Sequence, residues 1–226
     1  MQRYNIFNLK HKGLRVMLYE TAIDLQHTSF DNAESAAEAI SKVESVLHAF
    51  HSHAEHEDKF VLPALKRYNA ELIEEFQSEH AMDELLTQNI NKLIAAFKFA
   101  TDKEALTVAG YALTMAFNEF IAFNLYHMNK EENKINKTLW EYYNDAELAQ
   151  ITRTIIASIP PNILTEETRW MVKGASDTEI INWLLGVKND APDYVFKSLF
   201  TLVEEELPQQ RIHAIQEGLT EGAMVA

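Results

Sequence analysis

Residues 43–64 read VESVLHAFHSHAEHEDKFVLPA, in which Val43, Val46, Phe50, His53, Glu57, Phe60 and Ala64 follow one another at steps of three and four. That rhythm is the inward stripe of an α-helix, yet two of its positions hold a histidine and a glutamate where apolar residues belong. The same rhythm returns at Leu106, Gly110, Leu113, Phe117, Phe120, Asn124, His127 and Glu131, so a second helix repeats the His-x-x-x-Glu pair. Working outward, His11 lies in line with Leu14, Leu18, Thr21 and Leu25, and His80 with Ile73, Phe76, Thr87, Ile90 and Ile94. Four helices each contribute an inward histidine.

Helix breakers set the frame around these stripes. Only six glycines and five prolines occur, and Pro160, Pro161, Pro192 and Pro208 all lie in the last third. The first 140 or so residues therefore read as long helices, at about 5–27, 32–67, 70–99 and 102–142. Asp31 with Glu34 and Thr101 with Glu104 have capping-box spacing, and a further break falls near Tyr68 and Asn69. Loops this short join antiparallel neighbours, so the expected fold is all-α, an up-down-up-down four-helix bundle over residues 1–143. Residues 144–226 read as a separate C-terminal extension of short helices. Apolar faces such as Trp170, Ile180, Trp183 and Leu184, then Phe196, Leu199 and Phe200, lead us to expect it to pack on itself, on the bundle, or on a second copy in a homodimer.

Composition narrows the function. The 226 residues are 47% hydrophobic and 24% charged, enough to bury a core. With no cysteine, disulfides, thiolate zinc sites, Cys-ligated clusters and Cys nucleophiles drop out together. A formal charge of -14 repels phosphate backbones and anionic lipid, so neither nucleic acid nor membrane is an expected partner. The start, with Arg3, Lys10, His11 and Lys12 and no apolar run behind them, does not read as a signal peptide, and the expected location is cytoplasmic.

His53 with Glu57 and His127 with Glu131 are four apart, so each pair projects a nitrogen and a carboxylate from one face about one turn apart. Counted from loop midpoints near residues 30, 68 and 102, the histidine-bearing positions mismatch in height by only about 4 to 6 Å. His11, His53, Glu57, His80, His127 and Glu131 can therefore meet in one layer. Burying four imidazoles and two carboxylates with no counter-charge would cost many kcal/mol, which points to metal. Imidazole and carboxylate without thiolate suit iron or manganese at least as well as zinc, and two carboxylates suit a pair of cations. Two six-coordinate irons offer about 12 positions, and this set with an oxo or hydroxo bridge leaves one exchangeable position on each for O2, NO, peroxide or water.

The stretches His11-Lys-Gly-Leu-Arg15, His53-Ala-Glu-His-Glu57-Asp-Lys-Phe-Val-Leu-Pro63, Ser78-Glu-His80 and His127-Met-Asn-Lys-Glu131-Glu132-Asn133 resemble the hemerythrin-like family, the HHE cation-binding domains. The resemblance covers about residues 5–142. It implies a non-haem di-iron centre with His11, His53, His80 and His127 terminal and Glu57 and Glu131 bridging. Oxygen-carrying hemerythrins have a fifth histidine, whereas this sequence has Glu84 four residues after His80. The four-His, two-Glu set is more similar to the di-iron proteins of iron-sulfur-cluster repair and nitric-oxide stress, although their cysteine-bearing N-terminal domain has no counterpart here.

Competing residues are His51 with Glu55, which has the same spacing but lies about 200° round the helix from the stripe. Asp58, Glu132, Asp83 and Glu84 are candidates to orient imidazoles or fill an open position, His48 and His56 read as surface or flanking groups, and His27 and His213 as structural. Tyr19, Tyr111 and Tyr126 read as core or as radical gates. Two function classes follow: a protein that reacts with O2, NO or peroxide or handles iron under oxidative or nitrosative stress, and a non-enzymatic sensor or carrier of the same ligands.

Overall fold

The computed structural model describes residues 3–225, the side chains of residue 33 and of 221–225 excepted, and among the described residues there is no strand. Helix α1 runs Asn8–His27. It starts later than the expected residue 5 because the Asn5 side chain accepts the Phe7 N–H at 2.9 Å and holds the chain in a turn. Helix α2 (Ala33–His56) continues through a π-helical turn, Glu57–Val61, into α3 (Leu62–Leu65). Helix α4 spans Ala70–Phe99. Helix α5 (Lys103–Lys130) likewise passes through a π turn, Glu131–Ile135, into α6 (Asn136–Tyr142). Then follow α7 (Asp145–Ser158), α8 (Pro161–Gly174), α9 (Asp177–Asp190), α10 (Asp193–Glu206) and α11 (Gln209–Val225).

Two caps sit one residue later than their sequence signatures. Asn32, not Asp31, accepts the Glu34 and Ser35 amides, and Asp102, not Thr101, accepts that of Ala105. Asn69 caps α4 through the Leu72 amide. These side chains satisfy amides that the first helical turn leaves without partners.

The helices form the antiparallel bundle, and cross-helix pairs fix its register. Glu44 in the middle of α2 meets Lys98 near the end of α4, and Asp58 just beyond α2 meets His80, while Asp83, Glu79 and Glu75 on α4 face Asn124 and Lys130 on α5 and Lys134 in the π turn after it. Val43, Val46, Phe50, Ile90, Ile94, Leu113, Phe117 and Phe120 are buried toward one end. Toward the other, Phe7, Val61, Leu62, Leu65, Leu72, Phe76, Ile135, Leu139 and Leu148 make a second apolar cluster, each large side chain contributing about 1.5–3 kcal/mol by burial. Leu148 is on α7, which therefore packs with the bundle. Read through its π turn, the helix Lys103–Tyr142 is long and apolar enough to cross a membrane by length and composition; its Phe117, Phe120, Asn124, His127 and Glu131 are buried in the bundle.

Each π turn begins at a glutamate of the His-x-x-x-Glu pair and shifts the inward face by about one residue. The amides of Leu62 and Asn136 reach back five residues to the carbonyls of Glu57 and Glu131. Val61 and Leu65 are consequently buried where the α-helical stripe would bury Phe60 and Ala64. Such single turns interrupt α-helices most often at functional positions.

By contacts the chain divides into two compact units, the residues up to Asn8 with Met17–Ser158, and Leu9–Val16 with the helices from Ile159 on. The second unit has its own core of Val172, Ala175, Ile180, Leu184, Val203, Leu207, Ile212 and Ile215. Its helix α9 opens with a capping box, Ser176 with Glu179.

Candidate metal centre

His53, Glu57, His80, His127 and Glu131 come together in the bundle. Glu57 and Glu131 are buried at the start of the two π turns, and His53 and His127 are buried one turn before them. The His53 Nε2 lies 3.2 Å from Glu57 Oε1, and His127 Nε2 3.0 Å from Glu131 Oε1. From α4, His80 points its Nε2 between the two carboxylates, 3.4 Å from Glu57 Oε2 and 3.9 Å from Glu131 Oε1. One donor atom from each of Glu57, His80, His127 and Glu131 lies within 4.8 Å of the others, and His53, Glu57 and Glu131 share a second such set. His11 has no exposed surface and sits in the segment Leu9–Val16, on the face of α1 that carries Leu14, Leu18, Thr21 and Leu25.

The outer nitrogens are held as well. His80 Nδ1 is 3.0 Å from Asp58 Oδ1, and His127 Nδ1 is 2.8 Å from Glu79 Oε2. Lys130 donates to Glu79 and pairs with Glu75 at 2.6 Å, so Glu79 is itself fixed. A carboxylate on one ring nitrogen sets the tautomer and aims the other at a cation. Asp58 was among the sequence candidates for this task. Glu79 was not, although it stands at the height of Lys130 once α4 and α5 are paired antiparallel, a signal present in the sequence.

Charge in this core seeks a positive partner. Burial opposes charging His80, but the Glu131 and Glu57 carboxylates prevail and push its pKa up to about 11. His127 is raised in the same way, burial being outweighed by Glu131. The two buried carboxylates thus favour positive charge on the neighbouring imidazoles, and a bound metal ion would supply that charge in place of the protons. His80 Nε2, although buried, makes no hydrogen bond and is aimed at both carboxylates. An all-nitrogen and oxygen donor set of this kind fits a first-row divalent cation.

Among the donors, lined by His53, Glu57, His80 and His127, is a small cavity of about 10 Å³, about one water-sized body. Phe50, Ala54 and Met128 form its apolar wall, and Asp83 and Asn124 its polar one. Asn124 Nδ2 donates to Asp83 Oδ1 at 2.6 Å, and burial pushes the Asp83 carboxyl up from its ordinary value, with Asn124 opposing.

The rival groups lie outside this layer. His51 and Glu55 are exposed and 3.7 Å apart, and Glu84, which faces His51 at 3.6 Å and accepts from Gln88, is exposed too. Position 83, one turn beyond His80 on its inward side, is the one that lines the cavity. Tyr19, Tyr111 and Tyr126 are exposed, neither core nor beside the centre. His27, His48 and His213 are exposed, and His56 stacks on Phe60.

A helical bundle that turns buried imidazoles and carboxylates toward one another, with outer carboxylates steering the rings, defines the class of cation-binding bundles. Residues 3–139 match the hemerythrin HHE cation binding domain, and the chain belongs to that family. A BRUTUS-like zinc finger protein of Arabidopsis thaliana is similar to it, 24% identical over 188 residues that make up 81% of this chain and 15% of that protein. The chain thus spans a small part of that relative's length, and a stretch of this size necessarily runs past Leu139 into the C-terminal helices. No solved structure matches the chain.

Proposed function

We propose that the chain holds two iron ions in this core, with His11, His53, His80 and His127 as terminal ligands and Glu57 and Glu131 as bridges. In that role it reacts with or binds O2, NO or peroxide, or handles iron under oxidative or nitrosative stress, in a reducing cytoplasmic setting that suits a chain without cysteine. The observation that carries the dinuclear reading is Glu57, whose Oε1 faces His53 and whose Oε2 faces His80. A carboxylate that turns its two oxygens to different imidazoles is arranged to span two cations. His11, on the buried face of α1, supplies the fourth imidazole in this reading.

Two irons in such a shell supply exchange of one or two electrons with a small oxidant. The protein's own groups set the conditions for that exchange. Asp58 and Glu79 hold the outer protons of His80 and His127 and keep both Nε2 atoms turned inward. Phe50, Ala54 and Met128 line the centre with apolar surface, and the small space there suits a diatomic or peroxide ligand better than a larger one. Asp83 offers such a ligand a hydrogen-bonding wall.

Metal analysis of protein from iron-replete cells, followed by spectra of the reduced form mixed with O2 and with NO, tests the proposal. Two irons per chain and irreversible oxidation of the reduced form by O2 are the expected results. Fewer than two metals after iron reconstitution would reject the dinuclear centre. Full recovery of the reduced form after repeated exposure and argon purging would reject turnover and make the protein a sensor or carrier.

A further inference from the structure

Within the second compact unit, the short α1 segment Leu9–Val16 is gripped by the C-terminal helices on both sides of His11. Leu9 packs against the unit's apolar core. Lys10 pairs with Glu167 of α8 at 2.8 Å, with both side chains largely buried. Lys12 donates to both oxygens of Glu179 on α9, at 2.7 and 2.6 Å. Gly13 and Gly174 let the two backbones touch: a Cβ on Gly174 would stand 2.4 Å from the Lys12 carbonyl oxygen, and one on Gly13 2.9 Å from the Met171 amide nitrogen. Nothing but glycine fits this crossing, since the atoms met are backbone and cannot turn aside.

We propose that the C-terminal helices are a clamp that positions His11 for the metal, with Lys10, Lys12, Gly13 and Gly174 as positioning residues. The proposal rests on the reading of His11 as a ligand given above. Residues 9, 10, 12 and 13 are each tied to α8, α9 or the unit's core, so the residue between them is held from both sides. A terminal imidazole must be held to about half an ångström to complete a metal shell, and it lies here only a few residues behind the start of α1. A helix end frays unless something holds it. The clamp gives the extension a task in the metal centre, in keeping with a similarity to the Arabidopsis relative that continues into these helices.

The test uses the full-length, metal-loaded protein. Gly174→Val drives a side chain into the Lys12 carbonyl, Lys10→Glu breaks the pair with Glu167, and Lys10→Glu combined with Glu167→Lys restores it reversed. The readouts are the rate of metal release to a chelator and the absorption spectrum of the cobalt(II)-loaded protein, which reports its imidazole ligands. Both single variants should release metal at least about ten-fold faster with an altered cobalt spectrum, and the charge swap should return both toward wild type. Should Gly174→Val fail to fold, the Lys10 pair decides alone. Wild-type release and spectra in the single variants, beside metal loss in His11→Ala, would overturn the clamp while leaving His11 a ligand. Full metal retention with an unchanged spectrum in His11→Ala would overturn the ligand reading and the clamp with it.

Discussion

Glu79 on α4 accepts the Nδ1 proton of His127 on α5 at 2.8 Å, across 48 residues of sequence, and is itself fixed by Lys130. The inner nitrogen of that ring is thereby turned to Glu131. One carboxylate thus sets both the tautomer and the direction of a proposed ligand, and Asp58 does the same for His80.

Removing that support should weaken the centre and spare the fold. Glu79→Gln is expected to lower metal affinity by about 10- to 100-fold with helicity unchanged. Competition with a chromogenic chelator measures it, and wild-type affinity in the variant would show that Glu79 only holds Lys130.

The two His-x-x-x-Glu pairs of α2 can be separated by mutation. His53→Ala or Glu57→Ala should lose much of the metal, since both groups are buried in the donor layer. His51→Ala combined with Glu55→Ala should keep it, since that pair is exposed. Metal content per chain after reconstitution gives the answer, and the reverse pattern would relocate the centre to the helix surface.

Metal should stabilise the protein, and more so as pH rises. In the metal-free fold His80 and His127 have raised pKa values, so their contribution is full below the ordinary 6.5 and drains away as pH climbs toward the His80 value of about 11. A bound cation replaces those protons and works better as they leave. The thermal midpoint of the loaded form should exceed that of the metal-free form by a margin that widens between about pH 6 and pH 9. A constant or shrinking margin would contradict a core site built on these imidazoles.

The polar wall of the cavity makes a paired prediction. Asn124→Leu strips Asp83 of its hydrogen bond inside the bundle and should cost about 1–3 kcal/mol of stability. Asp83→Leu combined with Asn124→Leu should recover much of that loss, because the pair is then replaced by apolar groups. Denaturant unfolding of both variants decides it, and equal losses would mean that the wall is held by packing alone.

Much of this was legible in the sequence, because helix periodicity is a local property. The stripes of α2 and α5 announced a bundle, and the buried positions His53, Glu57, His127 and Glu131 are the ones that interrupted them. The caps were legible to within one residue. Asn32 and Asp102 could not be told from Asp31 and Thr101, since neighbouring polar residues offer the same oxygen and only the backbone angle selects between them.

Tertiary structure alone decided the rest. The π turns are invisible in the sequence because Phe60 and Val61 both satisfy an apolar rhythm, and only packing around Glu57 and Glu131 selects the wider turn. Glu79 gains its meaning from the register of α4 against α5, and Asp83 displaces Glu84 as the group facing the cavity because the helix turns position 84 toward His51 at the surface. The sequence by itself determined which residue types share a helical face, since that follows from 3.6 residues per turn. Which groups from different helices meet, and at which atoms, depended on contacts between segments far apart in the chain.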